Sequence, residues 1–269
     1  VVSLGRDLIA DVSSTADEGA NQFKHEVTLT GFDTDPATGA SRDASLDKYS
    51  MAYHGAGISH LDALCHIFHQ GKMYNGVSQH EVTKTGCKKL SVNVFADGIF
   101  TRGILLDFST LEPGVAILPQ HLDAWEKKNK VRVRSGDAVL VRTGRWLLEK
   151  RKGKAFKGWP GLHASSVRWL RDRDISILGT DANAEVYLQR SLPGKGEAWR
   201  TPLTDVEGEL FPVHKLLVVA MGTPVVDNLD LDSLSVEANR QGRWGFLFTF
   251  SPLRVPGGTG SPINAMAIF

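Results

Sequence analysis

Short runs of apolar residues are the feature of this sequence that most constrains its fold. Runs of four or five such residues predict buried strands. The predicted strands cover residues 103–107, 138–142, 175–179, 216–220 and 224–227. Phe246, Phe248 and Phe250 alternate with other residues, which predicts one more strand with a single buried face.

Helical patterns lie between some of these runs. Residues 119–128 carry Leu122 and Trp125 on one face, and Pro119 suits the first turn of a helix. Residues 165–173 carry apolar side chains on one face and charges elsewhere. Strands that alternate with helices indicate a mixed α/β domain, but the order of the strands cannot be read from one sequence.

The size and charge of the chain exclude some classes of protein. With 269 residues, of which 42% are hydrophobic, the chain can bury a sizeable core. Its 31 basic and 30 acidic residues leave a net charge of +1, so we expect no nucleic acid partner. No apolar stretch reaches the roughly 18 residues of a membrane span, so we expect no membrane partner.

The number of cysteines bears on the cellular compartment in which the protein is expected. Cys65 and Cys87 are the only two, which excludes a framework of several disulfides and favours a reducing, cytoplasmic environment. No secretory signal is visible. The chain opens on Val1 rather than on Met, which leaves open what precedes it.

The densest group of candidate functional residues lies between His54 and His69, where four of the nine histidines fall. On an extended segment alternate side chains share a face, so His60 and Asp62 can present a nitrogen and an oxygen to one ion. Divalent metals such as Zn²⁺ and Mn²⁺ accept these ligands. His66 follows Asp62 by four residues, so one helical turn would place it beside the site.

Structural interpretations compete with the functional ones. A single His-x-Asp pair is more often a hydrogen-bonded structural pair than a metal site, and it is the clustering with His54 and His66 that favours a metal. We interpret Asp181 as a cap of the next segment rather than as a pocket residue. We interpret Arg142 as a partner in a structural salt bridge rather than as a substrate-binding residue.

The histidine-rich segment resembles a known motif. Residues 60–66, with the sequence His-Leu-Asp-Ala-Leu-Cys-His, are similar to the core of the motif His-x-Gly-Thr-His-x-Asp-x-Pro-x-His. That motif belongs to the cyclase family of metal-dependent hydrolases, which includes bacterial kynurenine formamidase and isatin hydrolase. Further similar segments follow in the family's order, at residues 74–76, 102–107, 136–144, 214–217, 226–229 and 260–264.

The resemblance implies an architecture and an assembly. Residues 1–269 are expected to form a single domain of the swivelling β/α type, with a mixed, barrel-like sheet core and helices outside. The cofactor is expected to be a divalent ion, Zn or Mn. The partners are expected to be a small-molecule substrate and further copies of the chain, in a homodimer or homotetramer.

The resemblance also implies the ligands of that ion. His60 and Asp62 match metal ligands of the family. His214 matches a ligand to a second metal, and Asp227 stands where a ligating glutamate is expected. We therefore expect a site built from His60, Asp62 and His214, with Asp227 or His54 completing the shell.

The chain departs from the motif at several positions. The first motif histidine falls at Ala56, and Ile58 and Leu64 replace the glycine and the proline. Ser59 keeps the hydroxyl of the motif threonine. His54 is the candidate substitute for the missing ligand. A one-metal centre, a two-metal centre and a metal-free descendant of the family all stay open.

The histidines and aspartates of the expected site suit the hydrolysis of an amide, lactam, lactone or ester. A divalent ion lowers the pKa of bound water from about 15.7 to about 7 and polarises a carbonyl group. His66, which matches the catalytic histidine of the motif, suits proton transfer because histidine titrates near neutral pH. We therefore predict a metal-dependent hydrolase. The alternatives are a lyase or cyclase that uses the same metal, and a metal-free binding protein.

Overall fold

The protein is seen in a computed structural model that describes residues 1–9, 23–152, 158–189, 200–202 and 211–269. The chain divides into two compact units, one formed by Val1–Arg6 with Ser59–Phe269 and the other by Asp7–Ile58. The expectation of one domain over residues 1–269 stays a prediction.

The described residues form short strands and few helices. The strands are β1 Val2–Ser3, β2 Lys24–Leu29, β3 Leu46–Ser50, β4 His60–Asp62, β5 Val82–Thr83, β6 Gly86–Cys87, β7 Ile99–Asp107, β8 Ala116–Ile117, β9 Ala138–Arg142, β10 Gly158–Trp159, β11 Gly161–Leu162, β12 Ile177–Thr180, β13 Tyr187–Gln189, β14 Arg200–Pro202, β15 Val225–Asp227, β16 Gly245–Phe250, β17 Gly260–Pro262 and β18 Met266–Ile268. The helices are α1 Pro119–Asn129, α2 Arg145–Lys152, α3 Ser166–Asp172, α4 Pro212–His214 and α5 Leu231–Gln241.

A nine-stranded mixed sheet dominates the larger unit. Its strands lie in the order β1-β18-β16-β7-β9-β12-β15-β4-β17. The four central strands β7, β9, β12 and β15 are parallel, and the strands on both sides of them are antiparallel. The sheet curls into a half-barrel, which confirms the predicted mixed α/β class with a barrel-like core.

The apolar runs form central strands because both faces of the sheet are covered. In β7, Leu105 packs in one hydrophobic cluster, and its neighbours Ile104 and Leu106 pack in the other. In β9, Leu140 and Val139 divide between the clusters in the same way. Successive side chains point to opposite faces of a strand, so a strand covered on both sides needs apolar residues at every position.

Helices cover the two faces. Leu231 and Leu234 of α5 pack in the cluster that contains Leu105. Leu122 of α1 and Leu170 of α3 pack in the other cluster. Among the described residues, no helix has both the length and the hydrophobicity that a membrane crossing requires.

One predicted strand is wrong. Residues 216–220 belong to the π-helical segment Lys215–Met221, which continues α4. Leu217 and Val218 are both fully buried in the same hydrophobic cluster, whereas Leu216 is 38% exposed. The two neighbours therefore share one side of a helix, whereas neighbours in a covered strand such as β7 divide between the two clusters. A short apolar run does not by itself distinguish a buried strand from a buried helix.

The two cysteines are joined. A disulfide links Cys65, which follows β4, to Cys87 at the end of β6, and both residues are buried. The bond does not agree with the reducing environment that the cysteine count favoured.

The part of the smaller unit that the structure describes contains one hairpin. Strands β2 and β3 pair antiparallel, with Lys24 opposite Ser50 and a shift of register between Val27 and Leu29. Nearly all of the residues in the two strands are exposed.

Candidate metal centre

Strand β4 carries the first two candidate ligands. His60 and Asp62 are its first and last residues, so their side chains share one face of the sheet. Leu61, between them, points to the other face and is fully buried in a hydrophobic cluster. His60 and Asp62 are each only 2% exposed.

The neighbouring strand adds a carboxylate. Strand β15 pairs antiparallel with β4 and sets Asp227 directly opposite His60. Directly opposed residues of an antiparallel pair point to the same face, so Asp227 joins that face of the sheet. The Thr180 hydroxyl, at the end of β12, donates a hydrogen bond of 3.2 Å to Asp227 Oδ1.

A helix brings the imidazole of His214 to this face. His214 is the last residue of α4 and is 2% exposed. Its Nε2 lies 3.2 Å from Asp227 Oδ2 and 3.6 Å from Asp62 Oδ2. The strand predicted at residues 216–220 would have put His214 at a sheet edge, whereas the helix sets it over a face of the sheet.

Asp62 lies at the middle of the group. Its Oδ2 faces His214, and its Oδ1 lies 3.4 Å from His60 Nε2 and 3.8 Å from His66 Nε2. Each oxygen of the carboxylate therefore faces a different set of imidazoles.

The donor set fits a divalent ion. One nitrogen and two oxygens, from His214, Asp62 and Asp227, all lie within 4.8 Å of one another. Ligands held at about 2.1 Å from a tetrahedral ion are about 3.4 Å apart. The separations of 3.2 and 3.6 Å at His214 Nε2 are close to that value.

The sequence analysis missed Glu185. This residue lies in the loop between β12 and β13, is 2% exposed, and has both carboxylate oxygens 2.8 Å from His214 Nδ1. Its Oε1 also accepts a 2.9 Å hydrogen bond from the backbone N–H of His214. The one feature of the sequence that could have pointed to Glu185 is that it is an acidic residue between the apolar residues Ala184 and Val186.

Burial and charge shift the pKa values of this group. Burial alone would lower the pKa of His214, but the charges of Glu185 and Asp227 and their hydrogen bonds raise it well above its ordinary value. Burial opposes ionisation of Glu185, yet the charge and hydrogen bonds of His214 lower the pKa of that carboxyl. Burial raises the pKa of Asp227 despite the attraction of His214. An ion at His214 Nε2 therefore competes with a proton.

His66 occupies a more open position. Its backbone N–H donates to the carbonyl of Ala63 at 2.9 Å, so residues 63–66 form a turn rather than a helix. The turn still brings His66 Nε2 within 3.8 Å of Asp62 Oδ1, and its side chain is 28% exposed.

His54 and Ala56 belong to the unit formed by Asp7–Ile58. The role of His54 as a substitute ligand therefore stays a prediction.

Two further polar residues have structural contacts. Arg142 forms ion pairs with Asp107 at 2.8 Å and Asp232 at 2.7 Å, which confirms the predicted salt bridge. Asp181 is fully buried and accepts hydrogen bonds from the backbone N–H groups of Thr143 and Gly144. It anchors the turn before α2, so it acts on an earlier segment than the one it was expected to cap.

Comparisons with known proteins match most of the chain. The family model Cyclase matches residues 10–184, a range that contains His60, Asp62 and His66 and ends before His214 and Asp227. No curated protein matches the sequence.

Several solved structures share the fold. A crystal structure of a novel cyclase is 23% identical with a TM-score of 0.82, over 100% of this chain and 86% of that chain. Isatin hydrolase A from Ralstonia solanacearum is 21% identical with a TM-score of 0.65, over 99% of this chain and 90% of that chain. Isatin hydrolase A from Labrenzia aggregata, bound to benzyl benzoate, is 23% identical with a TM-score of 0.64, over 99% of this chain and 92% of that chain. At these identities the likeness is one of fold.

Proposed function

This chain belongs to the cyclase family, and from that membership we propose that it is a metal-dependent hydrolase of a small organic substrate. The bond that it cleaves is an amide, lactam, lactone or ester. Isatin hydrolases are among the structures that share its fold, which supports a substrate of this class.

The observation that carries the proposal is the convergence of Asp62, His214 and Asp227 within 4.8 Å. All three are almost completely buried. Burying charged groups is costly unless they are paired with one another or hold a metal. A cluster of two carboxylates and one imidazole on one face of the sheet is suited to a divalent ion.

We assign the protein groups as follows. Asp62, His214 and Asp227 would hold a Zn²⁺ or Mn²⁺ ion. His60, which lies on the other oxygen of Asp62, and His54 stay the candidates that the sequence offers for further ligands. A divalent ion in such a shell supplies a Lewis acid and makes water acidic near neutral pH.

His66 is the candidate general base. It is the most exposed of the three histidines around Asp62, so substrate and water can reach it. An imidazole there can accept a proton from water and return it to the leaving group, which contributes roughly a hundred- to ten-thousandfold in rate. His66 Nε2 lies 3.8 Å from Asp62 Oδ1, so the base stands beside a proposed ligand of the ion.

Metal content tests the assignment. Asp62→Ala and His214→Ala should lose the ion and all turnover of isatin, an aryl formamide or a lactone. His66→Gln should keep the ion and lose turnover, because a base moves protons and does not hold the metal. His121→Gln is the control, since that ring accepts a hydrogen bond from the backbone N–H of Leu118 in a helix cap.

Elemental analysis of protein purified without chelator gives the content of each variant. Full occupancy in Asp62→Ala and His214→Ala would contradict the ligand assignment. A wild-type protein without metal, even after incubation with Zn²⁺ or Mn²⁺, would favour the metal-free binding protein. Turnover without release of acid would favour the lyase or cyclase.

A further inference from the structure

Among the described residues, the hydrogen bonds of the Glu185 carboxylate are all made with His214. Both of its oxygens lie 2.8 Å from His214 Nδ1, and Oε1 also accepts the backbone N–H of His214 at 2.9 Å. The same carboxylate therefore holds both the side chain and the backbone of His214. A carboxylate against Nδ1 leaves Nε2 as the nitrogen that faces Asp62 and Asp227.

The backbone of Glu185 is itself held by β11. The backbone N–H of Leu162 donates to Ala184 O at 2.9 Å, and the N–H of Val186 donates to Leu162 O at 3.2 Å. These two bonds flank Glu185, which forms a parallel bridge with Leu162. The position of the carboxylate therefore depends on how closely β11 approaches this loop.

Gly161 permits that approach. A Cβ atom at position 161 would lie 2.3 Å from the carbonyl carbon and oxygen of Glu185 and 2.4 Å from the nitrogen of Val186. All three contacts are with backbone, which cannot move aside as the end of a flexible side chain can. Any side chain at position 161 must therefore displace the backbone at Glu185.

We propose that Glu185 is a positioning residue of the metal centre, which orients His214 for the ion, and that Gly161 keeps Glu185 in place. This inference rests on the proposed function, since it requires that His214 binds a metal. A carboxylate that orients a ligating histidine typically changes metal affinity 10- to 100-fold.

The test separates this role from a contribution to folding alone. Glu185→Gln keeps the size of the side chain and removes the charge that holds Nδ1. Its dissociation constant for Zn²⁺, measured by competition with a chromogenic chelator at one pH, should rise about 10- to 100-fold. Gly161→Ala should raise it in the same direction. Circular dichroism and metal-free melting curves report whether each variant is folded.

Matched controls lie elsewhere in the unit. Glu126→Gln changes another buried glutamate, which accepts from the backbone N–H of Val133 at 2.8 Å. Gly103→Ala places a Cβ 2.3 Å from the ring of Phe246, in the sheet core. Both controls should lower the melting temperature and leave the Zn²⁺ dissociation constant within about twofold of wild type.

The outcomes are distinct. A dissociation constant in Glu185→Gln within about twofold of wild type overturns the inference, and so does an equal change in Glu126→Gln. If Gly161→Ala does not fold, Glu185→Gln alone decides. A wild-type protein that binds no Zn²⁺ or Mn²⁺ overturns the proposed function as well, whereas metal binding that is insensitive to Glu185→Gln overturns only the inference.

Discussion

The disulfide between Cys65 and Cys87 should contribute substantially to stability, and its removal is a direct test of the structure. The bond spans a sequence separation of 22 residues. It ties the segment that follows Asp62 and precedes His66 to the end of β6. The perturbation is the double variant Cys65→Ala/Cys87→Ala, compared with the oxidised wild-type protein.

The magnitude follows from the size of the loop. A disulfide that closes a loop of 22 residues removes about 11 cal/mol/K of entropy from the unfolded state. At 25 °C this loss stabilises the folded state by about 3.4 kcal/mol. For a chain of this size, each kcal/mol moves the melting temperature by about 2–4 °C. We therefore expect a decrease on the order of 10 °C in the double variant.

Differential scanning calorimetry with and without dithiothreitol measures this effect. Dithiothreitol should lower the melting temperature of the wild-type protein by the same amount and leave the double variant unchanged. Thiol titration of the denatured protein should find no free thiol before reduction and two after it, since Cys65 and Cys87 are the only cysteines. Two free thiols in the purified protein, with no response to dithiothreitol, would refute the reasoning.

Three further perturbations should change stability, each measured by urea unfolding. Arg142→Met leaves Asp107 and Asp232 without their cation and should cost about 3 kcal/mol. Burial raises the pKa of Asp181 to about 6, so its folded-state pKa exceeds the ordinary 3.8. The stability that Asp181 adds relative to Asp181→Asn should therefore be greatest below pH 4 and fall by about 3 kcal/mol as the pH rises through 6. Asp230→Ala removes the N-cap of α5 and should cost about 1 kcal/mol.

Local sequence patterns were enough to predict the central strands and part of the site. Residues 138–142 are apolar at nearly every position, which suits a strand covered on both faces, as β9 is. The pair His60 and Asp62 needed only the alternation of an extended segment to share a face. These features depend on local periodicity, which a single sequence contains.

Residues 216–220 show where local periodicity becomes ambiguous. Their apolar side chains suit a buried strand and a buried helix equally, and the contacts of Leu217 and Val218 with the core decided for the helix. The position of His214 followed from that choice. The pairing of Cys65 with Cys87 was likewise decided by the approach of two segments, because spacing alone does not bring two thiols together.

The assembly of the candidate site depends on contacts between distant parts of the chain. Asp227 faces His60 because β15 and β4 pair antiparallel in one particular register. Glu185 reaches His214 because Gly161 lets two backbones approach more closely than any side chain would allow. Both contacts have the same cause. A contact between residues far apart in the chain depends on the register and packing of whole elements, and no local pattern encodes it.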